Sequence, residues 1–260
     1  MDERETTLSA EPVPVRVERP QDRRGVQILR IERPEKKNAL TRAMYRRMTE
    51  ALVEADADDS LRVTVFLGQP GCFSAGNDMG DFAVASAGGD FGQEVIAFLK
   101  ALASSRKPLI SGVDGLAIGI GTTLHLHCDQ TIATPRALFR TPFVDLGLVP
   151  EGGSSLLGPR LLGPQRAFSL LALGEPFTAA AAHAAGLVAR IVEPEMLEEE
   201  TLAAASAIAA KPPAALAAAR RLLRGDPAAL LACIDEEARI FAERLRSPET
   251  QGAIAAFLQR

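Results

Sequence analysis

The chain of 260 residues is 47% hydrophobic and 24% charged with a formal charge of −4, so it can bury one large core and gives no electrostatic reason to expect nucleic acid. Its three cysteines, Cys72, Cys128 and Cys233, are odd in number and far apart, which indicates neither a disulfide framework nor a metal cluster. No apolar run is long enough to span a bilayer, and residues 1–24 are charged and contain no apolar stretch like a signal peptide's, so a cytoplasmic protein with no membrane partner is expected.

Residues 12–18 and 25–32 alternate Val and Ile with charged residues and read as a hairpin around the polar turn 21–24. Pro34 and its polar neighbours end the second strand, and Thr41 can N-cap the helix that follows. Met44, Met48, Leu52 and Ala55 draw one apolar stripe down that helix. Residues 62–68 are a short strand of buried type, which delivers the chain into the loop Phe73–Asp78. Val95, Phe98, Leu99 and Leu102 mark a second amphipathic helix, and residues 107–113 another strand, so the unit strand, glycine loop, helix recurs. Residues 121–128 read as a buried helix, 129–133 as a strand, and Thr141–Ser155 closes the third turn of the pattern.

From Leu156 onward the chain is alanine-rich and helical, punctuated by Gly163-Pro164, Gly174-Glu175-Pro176, Pro194 and Pro212-Pro213. Leu230, Ile234, Ala238, Phe241 and Leu245 form a long apolar stripe, and Ile254, Phe257 and Leu258 belong to a last short helix. No strand pattern follows about Val192. Residues 1–195 therefore read as an α/β core and 196–260 as a helical region that packs on the core or on a neighbouring subunit.

Three loops carry the chemistry. Glu151 sits in a glycine-bounded turn just before a helix, where a carboxylate can face a ligand, and is the candidate base. The loops Phe73–Asp78 and Gly115–Gly121 carry glycines suited to presenting bare backbone amides. A base with amide donors suits enolate chemistry. His125, His127 and Cys128 do not converge as metal ligands, because positions two apart on a helix point in different directions. Ser154 and Ser155 lack a nearby His and read as capping or turn residues. Nothing beside Cys72 argues for a reactive thiolate, and Asp78 reads as a helix cap.

The segments 33–41, 73–79, 117–121 and 142–155, in this order and spacing, resemble the crotonase, or enoyl-CoA hydratase/isomerase, superfamily over nearly the whole chain from Val26. Ser-Ala-Gly-Asn-Asp-Met at 74–79 and Thr-Pro-Phe-x-x-Leu-Gly-x-x-Pro-Glu-Gly-x-Ser-Ser at 141–155 look most like the peroxisomal-type Δ3,Δ2-enoyl-CoA isomerases. The resemblance implies a spiral of ββα units with a C-terminal helical trimerisation region, and self-association as a homotrimer or dimer of trimers. It also implies an acyl-CoA substrate, with coenzyme A arriving as part of it and no metal or other cofactor. Glu151 matches the isomerase base, and the Asn77 and Ile120 amides match the oxyanion donors. Lys37, Ala39, Ser74, Ala75, Gly76, Asp78, Gly119 and Phe143 match positions that line the substrate site. Phe257 and Arg260 match C-terminal residues that reach coenzyme A in relatives.

A carboxylate count then separates the family's activities. Hydratases of this family use two glutamates, and the matching positions here hold Thr123 and Phe143. Neither can be a carboxylate acid or base, and Phe143 is expected to dry the pocket and raise the Glu151 pKa. The same Phe argues against a dienoyl-CoA isomerase, and the aromatic and His groups of a dehalogenase have no counterpart. The expectation is isomerisation of a 3-enoyl-CoA to the trans-2-enoyl-CoA, as in fatty-acid β-oxidation. The alternatives are a hydratase or another acyl-CoA enzyme of the family, and, from another class, a non-catalytic acyl-CoA or protein binder. The ending Phe-Leu-Gln-Arg lacks a peroxisomal Ser-Lys-Leu signal, which fits a bacterial-type cytoplasmic enzyme.

Overall fold

The computed structural model describes residues 13–86 and 92–258. A hairpin of β1 (Val15–Glu18) and β2 (Val26–Ile31) opens the fold. Helix α1 (Arg42–Ala57) follows, its first turn capped by the Thr41 hydroxyl, which accepts from the Met44 amide. The chain then passes through three turns. The first is β3 (Val63–Leu67), β4 (Cys72–Ser74), α2 (Met79–Ser86) and α3 (Gln93–Ser104). The second is β5 (Leu109–Val113), β6 (Leu116–Ile118) and α4 (Ile120–Thr123), the last continued by a 3-10 turn over Leu124–His127. The third is β7 (Gln130–Ala133), β8 (Leu138–Arg140), α5 (Ser154–Leu162) and α6 (Pro164–Leu171).

Each turn gives one strand to each of two sheets, which makes the chain a spiral of ββα units. Short elements close it: β9 (Phe177–Thr178), α7 (Ala179–Ala184) and β10 (Arg190–Ile191). The larger sheet runs β1-β2-β3-β5-β7-β10, parallel except at the hairpin, and the smaller runs β4-β6-β8-β9, parallel except at β9. Four helices complete the chain: α8 (Leu197–Ala209), α9 (Pro213–Arg224), α10 (Ala228–Leu245) and α11 (Pro248–Leu258). Among the described residues no single helix is long and apolar enough to cross a membrane.

Parallel strands covered on both faces read as apolar throughout, and β3 and β5 are buried at every residue. On one face Leu29, Ile31, Phe66 and Leu109 pack with the α1 and α3 stripes, Met44, Met48, Phe98, Leu99 and Leu102. On the other, Val26, Ile28, Val63, Val65 and Ile110 meet Leu202 and Ala205 of α8. A separate cluster joins α2, α6, α10 and α11 through Phe82, Leu171, Phe241 and Ile254, with Phe143 among them.

The structure adds elements to the sequence reading. The three strands of the smaller sheet that precede α5 span three residues each, too short for a period to show, and were expected as loops or left unassigned. The stretch expected as one helix over 121–128 divides into α4 and the 3-10 turn. Helix α2 runs to Ser86, and residues 87–91 lie outside the described residues. The expected all-helical run from Leu156 is interrupted by β9 and β10.

Candidate active site

Pairing of β4 with β6 sets two glycine loops side by side, with Ser74 opposite Ala117. Gly76 has φ +92°, and a Cβ there would lie 2.9 Å from the Ile118 carbonyl oxygen, so both conformation and space demand glycine. Gly119, at φ 57° and ψ −122°, turns the chain into α4. Leu40 bonds the carbonyl of Gly76 and the amide of Asp78, at 2.8 and 2.9 Å. That ladder points the Asn77 amide away from Leu40. Ile120 is the first residue of α4, so its N–H has no intrahelical acceptor. Neither the Asn77 nor the Ile120 amide donates to an acceptor among the described residues.

Two side chains behind this arrangement were not singled out from the sequence. Asn38, buried with φ 55°, accepts from the Arg33 amide at 2.7 Å and donates to the Cys72 and Phe73 carbonyls at 3.0 and 3.1 Å. It ties the first loop to β4. Tyr45, the one tyrosine of the chain, donates its hydroxyl to Asn77 Oδ1 at 2.5 Å. Burial, then the charges of Glu151 and Asp81, hold the phenol well above its ordinary pKa. Tyr45 lies beside Met44 of the apolar stripe, so its only signal was a polar tip next to a core face.

Glu151 precedes two glycines with φ +73° and +72°, and a Cβ on Gly153 would lie 2.3 Å from Leu230 Cδ1. The turn therefore packs directly on α10. The carboxyl is buried; its Oε1 accepts from the Thr123 hydroxyl at 2.6 Å, and its Oε2 has no partner. Burial raises its pKa to about 8, with the Thr123 bond opposing and the Glu237 charge reinforcing the rise. The buried His127 holds the same turn through a 2.6 Å contact between its Nε2 and the Gly152 carbonyl. Burial lowers that imidazole to about 4, so it is neutral and donates through Nε2.

Glu237 of α10 was also missed. It accepts from the Gly153 amide at 2.5 Å, the Ser155 amide at 2.9 Å and the Ser155 hydroxyl at 2.5 Å. Gly153, the N-cap of α5, has no side chain to offer, so a carboxylate from another helix caps it. Its sequence signal was an acid inside the apolar stripe, between Ile234 and Phe241.

Other expected site residues have structural partners. Ser74 donates to the Asn38 carbonyl at 2.8 Å and accepts from the Gly76 amide at 3.1 Å. The Ala75 amide donates to the carbonyl of Lys37, itself exposed with φ 50°, and Ala39 accepts from Arg33. Asp78 accepts from Gly80 at 2.9 Å, as a cap of α2, and pairs with Arg33 at 2.6 Å. Phe143 packs in the cluster with Phe82 and Phe241. His125 contacts Ser111 Oγ at 2.9 Å and packs its ring against Phe73 at a tilt of 56°, apart from His127. Arg260 and the Phe257 side chain lie outside the described residues. A cavity of about 760 Å³ between α3, α5, α9 and α10 is lined by Leu126, Leu157, Leu230 and Arg220, and by neither Glu151 nor the donor amides.

The spiral of ββα units is the fold expected of the crotonase type, and the comparisons with known proteins bear out that class. The family model described as enoyl-CoA hydratase/isomerase matches residues 21–260, and the chain belongs to that family. It is 35% identical to enoyl-CoA delta isomerase 2 of Rattus norvegicus over 242 residues, 91% of this chain and 62% of that protein. It thus spans less than two thirds of that relative's length. It is 34% identical to 2,3-dehydroadipyl-CoA hydratase of Escherichia coli, covering 90% of this chain and 92% of the relative. Among solved structures, OdaA of Pseudomonas aeruginosa superposes with a TM-score of 0.89 at 43% identity, covering 95% of this chain and 99% of that one. An enoyl-CoA hydratase/isomerase from Pseudoalteromonas atlantica gives 0.88 at 38% identity, covering 95% and 97%.

Proposed function

We propose that this chain isomerises a 3-enoyl-CoA to the trans-2-enoyl-CoA with Glu151 as the single acid and base. The relatives' names include both isomerases and hydratases, so the reading rests on the carboxylates. One observation carries it: Glu151 has a free, buried oxygen, while the other carboxylate close enough to act on it, Glu237, is engaged by α5 amides. Thr123 and Phe143 stand where hydration would need a second acid.

In this reading the thioester oxygen accepts from the Asn77 and Ile120 amides. The ionised Glu151 takes a proton from C2; the C3–C4 π electrons and the C2 pair delocalise into a dienolate whose negative charge rests on that oxygen. Glu151 then returns the proton to C4, leaving the double bond between C2 and C3. Each amide donor contributes about 3 kcal/mol to stabilising the charge. A base whose pKa lies near the working pH gives and takes the proton with similar ease. These steps call for no metal or redox group, since coenzyme A enters within the substrate. The product is the form that β-oxidation hydrates next. Lys37, Ala39, Ala75 and Gly119 are assigned to the walls of the acyl-CoA path, and the chain to a homotrimer or dimer of trimers.

The test is Glu151→Gln, read by turnover of a 3-enoyl-CoA and by calorimetric binding of a saturated acyl-CoA. Turnover should fall by about a thousandfold or more, the scale of losing an essential proton carrier, with affinity within a few-fold. Unchanged turnover would refute the assignment, and a non-catalytic binder would show none in either form.

A further inference from the structure

We propose that Glu237 is a positioning residue for the candidate base: by occupying the amides at the start of α5, it keeps them from engaging Glu151 and leaves that carboxyl's second oxygen available to a ligand. The inference rests on Glu151 being the base, and deepens that reading. The first turn of a helix presents unsatisfied N–H groups and the positive end of its dipole. Such a site attracts the nearest carboxylate. Glu151 is nearest in sequence, two residues before Gly153 and four before Ser155. Bound there, it would be a stabilised, weakly basic anion with its oxygens turned from substrate.

The fold supplies a competitor instead. Glu237 reaches from α10 with both oxygens, Oε2 to the Gly153 amide at 2.5 Å and Oε1 to Ser155 at 2.9 Å (amide) and 2.5 Å (hydroxyl). Cys233, one turn earlier, lies 3.5 Å from the same Oε1. Glu237 is itself buried, and its neighbours Ile234 and Phe241 belong to the core clusters, so its place is fixed by packing. Leu230 on the same helix presses on Gly153. Glu151 is left with the Thr123 hydroxyl from α4 on one oxygen and nothing on the other.

The groups that face Glu151 are Thr123 from α4, Glu237 from α10 and Tyr45 from α1, while His127 holds the next residue's carbonyl. Cations along α10 are engaged elsewhere: Lys100 of α3 pairs with the exposed Asp235 at 2.6 Å, and Arg239 pairs with Glu236 and Glu243. Removing the Glu237 charge and freeing the α5 amides act with the same sign. Both favour ionised Glu151, so its titration moves to lower pH.

The experiment follows the Glu151 carboxyl by ¹³C NMR, its signal identified by loss in Glu151→Gln, in wild type and Glu237→Gln. The midpoint should fall by about one pH unit or more in Glu237→Gln, and the rising limb of kcat/KM should move with it. A midpoint that stays put would overturn the proposal, whatever the loss of rate. Glu237→Asp keeps the charge but is one methylene shorter, which takes it off the α5 amides, so its Glu151 midpoint should also fall; a midpoint that stays raised there would assign the effect to the charge alone and overturn the proposal, even if the Gln variant fails to fold. If Glu151 is not the base, Glu151→Gln retains activity while the NMR shift persists, which separates the two failures.

Discussion

At the residue scale, burial disfavours the charge of one carboxyl, that of Glu151. Its motif, Pro-Glu-Gly-Gly-Ser-Ser, was legible in the sequence, as was the fact that Thr123 and Phe143 are not carboxylates. The surroundings of Glu151 were not, because the Thr123 bond, the Glu237 charge and the His127 contact with the next residue's carbonyl all arise from tertiary packing. A carboxyl whose folded pKa is about 8 holds its proton where the unfolded chain, with an ordinary glutamate, has lost it. The native state therefore binds more protons between the two values, and stability falls as pH rises from the ordinary glutamate range through about 8. Glu151→Gln removes that dependence. Its melting temperature relative to wild type should rise from pH 5 to pH 9, measured by calorimetry at a series of buffers. A pH-independent difference would mean that Glu151 is not held neutral by the fold.

Among the elements, the long ones were legible and the short ones were not. Periodic stripes marked α1, α3 and α10, and apolar runs marked β3, β5 and β7. The strands β4, β6 and β8 owe their existence to backbone pairing with one another, which leaves no period in three residues. Yet these strands place the amide loops, and their glycines were visible before the pairing that explains them. Gly76→Ala puts a Cβ 2.9 Å from the Ile118 carbonyl at φ +92°, so the loop must shift away from β6. The expected loss is about 10²–10³ in kcat, that of one oxyanion donor, with KM changed far less, in steady-state assays. Wild-type kcat in this variant would show that the Asn77 amide does not hold the developing charge.

Taken as a whole molecule, the spiral encloses one apolar core per sheet face, but α9 is left thin. Arg220 is its one buried residue, pinned to Asp129 at 2.9 Å, and Leu222 and Leu223 stand 82% and 88% exposed. Paired exposed leucines on one helix fit a subunit contact. Sedimentation equilibrium should give three or six times the 27.6 kDa chain mass, and Leu223→Arg should reduce it; a monomeric wild type would contradict the proposed homotrimer or dimer of trimers. The expected spiral architecture was legible through four segments in register, three of them marked by glycine, whereas the helical ends needed the packing of α8 on the outer sheet face to be placed. The measurement that bears most directly on the central claim mixes the protein with trans-3-hexenoyl-CoA and, separately, crotonyl-CoA, following the conjugated enoyl-thioester absorbance. A single-carboxylate isomerase raises the absorbance with the first, leaves the second unchanged, and loses the rise in Glu151→Gln; a fall with crotonyl-CoA would contradict it and make the protein a hydratase.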